Sequence, residues 1–347
     1  MKSVGILTWY FGANYGAVAQ SVALFNTLND GGYDCKMINY RPANVLKTII
    51  ISNIPRKRER LKKFKETWHG LKKCYRLSQL PFLKETKKVS CAKDINDLNL
   101  DCIILGSDAI FNMKHPLCTS LYYGVGITTK KITYSPSCEY LEEDTKLPDD
   151  YCLSLKEMRA ISVRDAKTRR LVENNIGYSP CITLDPTFLY DFHDFNCYVD
   201  QDNYILVYSF STWDEYQKEI KEYAEQHEVN IISVGNYRKW ADYSYPEASF
   251  ELWISLFRKA SVVVTDSFHG TVFALKNSKQ IILCGRSDKQ SKIISLLNQV
   301  EVSLQIYKGE KIDHYLENNK IDYSSTSQAI IEEVKKSYQY LMDSLEG

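Results

Sequence analysis

Residues 261–276 read SVVVTDSFHGTVFALK. An apolar run ends at Thr265, a polar turn carries Asp266, Ser267, Phe268, His269 and Gly270, and a buried helix is predicted from Thr271. Open α/β sheets bind ligands at such strand ends. Helix N–H groups at that point favour an anion, and a histidine gives and takes protons near neutral pH. The plainer reading is a capping Asp or Ser beside a packed histidine.

Three further stretches repeat the pattern. In DCIILGSDAIFN (101–112) an apolar run delivers Gly106, Ser107 and Asp108. Asp108 suits a base, an acceptor for a sugar hydroxyl, or a helix cap. In ISVRD (161–165) Arg164 suits bidentate binding of a carboxylate or phosphate, or a surface ion pair. In TLDPTFL (183–189) Asp185 precedes Pro186, and the extended backbone this imposes predicts a domain hinge. Near the start, TWYFGANYGAVAQSVAL (8–24) sets Gly12, Asn14, Tyr15 and Gly16 before a helical run. The loop lacks the lysine and spacing of a P-loop. It fits backbone N–H groups held against a phosphate, close approach to an acceptor sugar, or a tight turn that needs glycine dihedrals.

The elements that must position these residues alternate along the chain. Apolar runs at 4–7, 35–39, 101–105, 131–135, 160–163 and 181–184 predict buried strands, and a second series follows at 204–210, 229–234, 261–265 and 280–284. Continuous rather than alternating apolar runs suit sheets covered on both faces. Helices are predicted at 165–176, between Asp165 and Gly177, at 213–227, and at 249–259 behind Ser249. The polar stretch 190–203 divides two α/β units, 1–192 and 203–320. Residues 325–347 space Ile330, Ile331, Val334, Tyr338, Leu341, Met342 and Leu345 as an amphipathic helix that can return to the first unit.

The 347 residues carry 44 Lys and Arg against 43 Asp and Glu, a balance that argues against a general nucleic-acid binder. The ten cysteines form no metal-ligand spacing and suit a reducing cytosol. No run approaches the ~18 apolar residues of a membrane span, so a soluble, cytoplasmic chain is expected. Residues 56–88 stand apart, because Lys and Arg far outnumber three Glu. Leu61, Phe64, Trp68 and Leu71 recur there at helical spacing. One reading is a basic amphipathic helix on an anionic membrane or near a lipid diphosphate. The other is an insertion helix packed on its own domain with a solvated basic face.

Taken in order, NYGAVAQSVAL, GSDAIFN, YSPSCEY, ISVRDAKTRRLVE, TLDPTFL and DSFHGTVFAL resemble the polysaccharide pyruvyl transferases. The resemblance implies an α/β fold of two Rossmann-like domains facing across a cleft, as in GT-B glycosyltransferases. It implies transfer of pyruvate from phosphoenolpyruvate to a sugar as a cyclic ketal, with the second domain on the donor side. On that basis His269 and Asp108 are catalytic candidates. Arg164, Ser267, Gly270, Thr271, Arg286 and Lys292 are donor-binding candidates, and Asn14, Tyr15 and Gly16 acceptor-binding candidates. Many relatives carry Arg two residues before the histidine, where this chain has Ser267; Arg286, Lys289 or Lys292 then supplies the cation. The scheme needs no metal and no cofactor beyond phosphoenolpyruvate as substrate. The expected acceptor is a lipid-diphosphate-linked glycan, with peripheral membrane contact. A nucleotide-sugar glycosyltransferase and a non-catalytic glycan-precursor-binding protein are the competing readings.

Overall fold

A computed structural model of the chain describes residues 1–41, 64–78, 83–210, 216–285 and 290–346. Leu61, Arg286 and Lys289, singled out above, lie outside the described residues.

The first half holds β1 (Ser3–Leu7), α1 (Tyr15–Asp30), β2 (Asp34–Met37), α2 (Phe64–Ser78), α3 (Ala92–Asn96), β3 (Cys102–Leu105), β4 (Lys131–Thr133), α4 (Asp149–Lys156), β5 (Ser162–Val163), α5 (Ala166–Ile176) and β6 (Cys181–Ile182). Its four-stranded sheet runs β2-β1-β3-β4, all parallel, and a parallel β5–β6 pair continues it through a bridge between Ile132 and Ala160. The second half holds β7 (Tyr204–Tyr208), α6 (Gln217–Gln226), β8 (Ile231–Val234), β9 (Tyr243–Tyr245), α7 (Phe250–Lys259), β10 (Ala260–Thr265), α8 (Phe268–Lys276), β11 (Gln280–Leu283), α9 (Ser291–Gln299), α10 (Ile312–Asn318) and α11 (Tyr323–Glu346). Its sheet, β11-β10-β7-β8-β9, is also parallel throughout. Parallel pairing follows from the crossover helices between strands, and those helices explain why β3, β7 and β8 are buried at every residue.

Local signals set the helix ends. Asp165 accepts from Thr168 N–H to open α5, Gly177 closes it with φ +70°, and Ser249 accepts from Leu252 N–H to open α7. β9 had no apolar run to announce it, since it is a short, partly exposed edge strand of sequence YSY.

α1 is buried nearly all round. Its Leu24, Phe25 and Leu28 pack with Val4 and Ile6 of the first sheet, while Tyr15, Val18, Ala19 and Val22 belong to the core of the second half with Leu206, Val263 and Trp253. α11 also serves both halves: Ile330 and Val334 lie on the second core, and Leu341 and Leu345 sit with Val4 and Ile6. Lys2 and Lys130 donate to the Leu345 carbonyl and Arg159 to that of Ser344, so three cations meet the negative end of the helix dipole.

α2 does not pack on its own half alone. Lys73 Nζ donates to the Gly235 carbonyl at 2.8 Å and lies 5.4 Å from the Tyr15 ring, and His69 meets Glu247 at 2.9 Å. Leu77 joins the second core. Burial pushes the Lys73 ammonium down to about 8. No helix among the described residues is long and apolar enough to cross a membrane.

Candidate active site

The C-terminal ends of both sheets face one another, and Asp185 lies where they meet. It follows β6 and caps a short turn, with the Thr187 N–H and hydroxyl both donating to its Oδ1. Its Oδ2 receives Arg164 Nη1 at 3.1 Å, with the Ser107 hydroxyl at 3.4 Å and His269 Nε2 at 3.5 Å. Burial pushes the Asp185 carboxyl up, but His269, Arg164 and Thr187 outweigh it and hold the group well below the usual carboxylate range. The sequence suggested a hinge at Asp185; the residue is instead the buried centre of the site. Its signal was available, since like Arg164 it follows the last apolar residues of a strand.

Arg164 extends from the end of β5. It is buried, stacks on the Phe268 ring at 4.4 Å, and has Asp108 as a second carboxylate at 3.9 Å. Burial alone would lower the guanidinium, but Asp185, Asp108 and Asp165 raise it, so it stays charged. Asp108 has φ +68° and accepts from Ala109 N–H, which leaves it partly exposed at the edge of the site. Gly106, two residues earlier, has φ +127°, and a Cβ there would fall 2.3 Å from the Tyr134 carbonyl oxygen, so only glycine fits. Gln20 of α1 accepts from Ser107 N–H and donates to the Trp9 and Ala17 carbonyls, tying this loop to the first helix.

His269 enters from the second half in the first turn of α8. A Cβ on Gly16 would fall 2.1 Å from His269 Nδ1. Gly16 is therefore the floor on which the imidazole lies, with Nδ1 beside it. Nε2 faces Asp185 within ion-pair distance, and among the described residues neither it nor Arg164 Nε has a hydrogen-bond partner. Buried polar atoms are nearly always paired, so two such nitrogens beside one carboxylate mark a place where a ligand supplies acceptors.

The remaining candidates divide. Ser267 is the cap of α8, accepting from Gly270 N–H. Thr271 is fully buried and donates to the Ser267 carbonyl, and a Cβ on Gly270 would strike Thr265 Oγ1 at 2.1 Å. These three build the turn that presents His269, and their packing leaves Gly270 and Thr271 no surface for a donor. Tyr15 is buried, stacked on Trp253, with its hydroxyl on the Ala248 carbonyl, so it is a core residue of the junction and not an acceptor contact. Asn14 is exposed and caps α1 by accepting from Gly16 N–H. Lys292 pairs at 3.0 Å with Glu139, a residue of the YSPSCEY block that sequence reading passed over. Burial raises the Glu139 carboxyl, but Lys292 and then Arg164 bring it below its ordinary value. Among the described residues no group of three or more His, Cys, Asp or Glu is arranged to hold a metal.

A family model described as Polysaccharide pyruvyl transferase matches residues 14–288. No curated protein matches the chain. Among solved structures it is similar to the UDP-GlcNAc 2-epimerase of Neisseria meningitidis bound to UDP-GlcNAc (10% identity, 99% of this chain and 100% of that one, TM-score 0.55). It is also similar to the UDP-GlcNAc 2-epimerase of Methanocaldococcus jannaschii (12% identity, 97% and 100% covered, TM-score 0.54). At these identities the likeness concerns the fold, and it is the GT-B arrangement of two parallel α/β units across a cleft.

Proposed function

The chain belongs to the polysaccharide pyruvyl transferase family, and from that premise we propose that it moves pyruvate from phosphoenolpyruvate onto two hydroxyls of one sugar, forming a cyclic ketal. The observation that carries this reading is the meeting of His269 and Arg164 on the buried Asp185 carboxylate, with Asp108 at the rim.

The chemistry assigns each group a task. His269 delivers a proton to C3 of the enol, making C2 electrophilic. A sugar hydroxyl adds to C2 and gives its proton to Asp108, which keeps a partly exposed carboxylate for that purpose. The second hydroxyl then closes the ring at C2 as the C2–O bond to phosphate breaks and its proton leaves on the phosphate; the proton taken by Asp108 is released to solvent, and His269 regains one from solvent before the next turnover. Arg164 holds the donor carboxylate or the departing phosphate. Asp185 orients both cationic groups and keeps their charge balanced while the site is empty of anions. Lys292 lies near enough to Arg164, through Glu139, to add charge at the donor side.

The finer reading is a lipid-diphosphate-linked precursor of a surface polysaccharide as acceptor, met by a cytoplasmic enzyme at the inner face of the membrane. The test is to incubate the protein with phosphoenolpyruvate, and separately with a UDP-sugar, in the presence of a lipid-linked acceptor. Phosphate release with the mass gain of a pyruvyl ketal supports the proposal. UDP release would replace it with glycosyl transfer, and unchanged donors with bound acceptor would replace it with a binding role.

A further inference from the structure

α2 presents two faces of opposite kind. Lys73, which is 8% exposed, and the buried Leu77 point inward, and Lys73 meets Gly235 and the Tyr15 ring. Trp68 (53% exposed), Leu71 (41%) and Tyr75 (68%) form a stripe at helical spacing on the outside. The inversion is unusual, since a helix docked by its apolar side would bury the tryptophan and solvate the lysine. Single exposed apolar residues are ordinary, but a stripe of them marks a surface that meets something.

The surroundings point to the partner. Lys72 lies over the Trp68 ring at 5.4 Å and stays half exposed, as does Arg76. His69, Lys72 and Arg76 share one carboxylate, Glu247, so the face keeps a positive excess. A tryptophan, a leucine and a tyrosine among basic side chains is the composition that settles at a lipid headgroup boundary, aromatic rings at the interface and ammonium groups reaching the phosphates. A protein partner of acidic character would account for the cations but leaves the tryptophan and leucine unexplained.

We propose that the outward face of α2, formed by Trp68, Leu71, Lys72 and Tyr75, docks the protein on an anionic lipid bilayer. This deepens the reading of a lipid-linked acceptor, because the inner face of the same helix touches Tyr15, whose neighbour Gly16 underlies His269. Docking by this face sets the cleft beside the headgroups from which such an acceptor is drawn.

The experiment is sedimentation of the full chain with vesicles of phosphatidylcholine alone or mixed with phosphatidylglycerol, without any donor or acceptor sugar. The expected result is binding to the mixed vesicles only, falling as salt is raised to about 0.5 M, where exposed charges are screened. Lys72→Glu is expected to weaken it by on the order of tenfold, since each basic residue near an anionic surface is worth about one such factor. The combined Trp68→Ala, Leu71→Ala and Tyr75→Ser variant is expected to abolish it while its thermal melt stays at the wild-type value. Equal binding to uncharged vesicles, or wild-type binding by Lys72→Glu, would overturn the proposal. So would a dimer in sedimentation velocity that the combined variant dissolves, because the face then belongs to a second copy. Vesicle binding is read without turnover, so a protein that binds vesicles yet releases no phosphate from phosphoenolpyruvate keeps this inference and loses the catalytic one.

Discussion

At His269 the two halves meet in a buried contact: an imidazole lies on a glycine backbone, and a buried carboxylate holds it and an arginine from the other half. At Glu247 they meet through a partly buried carboxylate reached by His69 and by the half-exposed Lys72 and Arg76 at 2.9, 3.6 and 4.0 Å. Both are clusters of basic side chains around one acid. The first gains its strength from low dielectric and from steric fit. The second is screened and shares its charges with solvent. Glu247 has three such partners and Asp185 two, so the number of ion pairs does not set their weight; burial does.

Substitutions sharpen the contrast. His269→Gln is expected to lower phosphate release by about 10²–10⁴-fold with the fold intact, because an amide hydrogen-bonds but delivers no proton. Steady-state turnover near wild type would reduce His269 to a binding role. Asp185→Asn is expected to cost about 3 kcal/mol of stability, since Arg164 and His269 lose their shared counter-charge. The depressed Asp185 carboxyl also sets a pH window. Its contribution is complete above an ordinary Asp value of ~4 and is lost as pH falls through its lower folded value. Thermal melts from neutral to acid pH should therefore show a steeper acid loss in wild type than in Asp185→Asn.

Gly16→Ala displaces the imidazole with no change of charge, and a misplacement of ~1 Å costs about 10²-fold in rate; wild-type kcat in this variant would show that the floor is not needed. Lys73→Met works in the opposite direction. A lysine held near pH 8 by burial is neutralised readily in the fold and not in the unfolded chain. The unfolded chain then binds more protons between about pH 8 and 10, so wild-type stability should rise over that range. The methionine variant should be more stable at neutral pH by on the order of 1–3 kcal/mol and lose that rise. Glu247→Gln should change the melting behaviour least, by under ~1 kcal/mol, and only at low salt.

Much of this architecture was legible in the residues. The apolar runs gave the strands, and Asp165, Gly177 and Ser249 marked helix ends because capping is a local matter between neighbours. β9 was missed because its edge position needs no apolar pattern. His269, Arg164 and Asp108 were singled out as strand-end residues, and the structure brings them around Asp185. Asp185 carries the same strand-end signal, but the proline after it offers a sufficient local explanation and masks its place as their common partner. Tyr15 was misread for a related reason: a residue in a glycine loop looks exposed until the other half of the chain covers it. The same applies to α2, whose spacing showed a two-faced helix but not which face turned inward.

A helix buried on every side, as α1 is, imposes an order of events on synthesis. Its residues, 15–30, emerge long before strands β7 and β10 and helix α7, which supply the surface that covers Tyr15, Val18 and Val22. At ribosomal speeds of ~5–20 residues per second, that face waits roughly ten seconds or more for the chain that shields it. During this interval the nascent protein carries a sticky, half-finished surface that chaperones can hold. The finished halves are accordingly not separable modules: a fragment cut near residue 200 would keep the first sheet and leave α1 with one side bare.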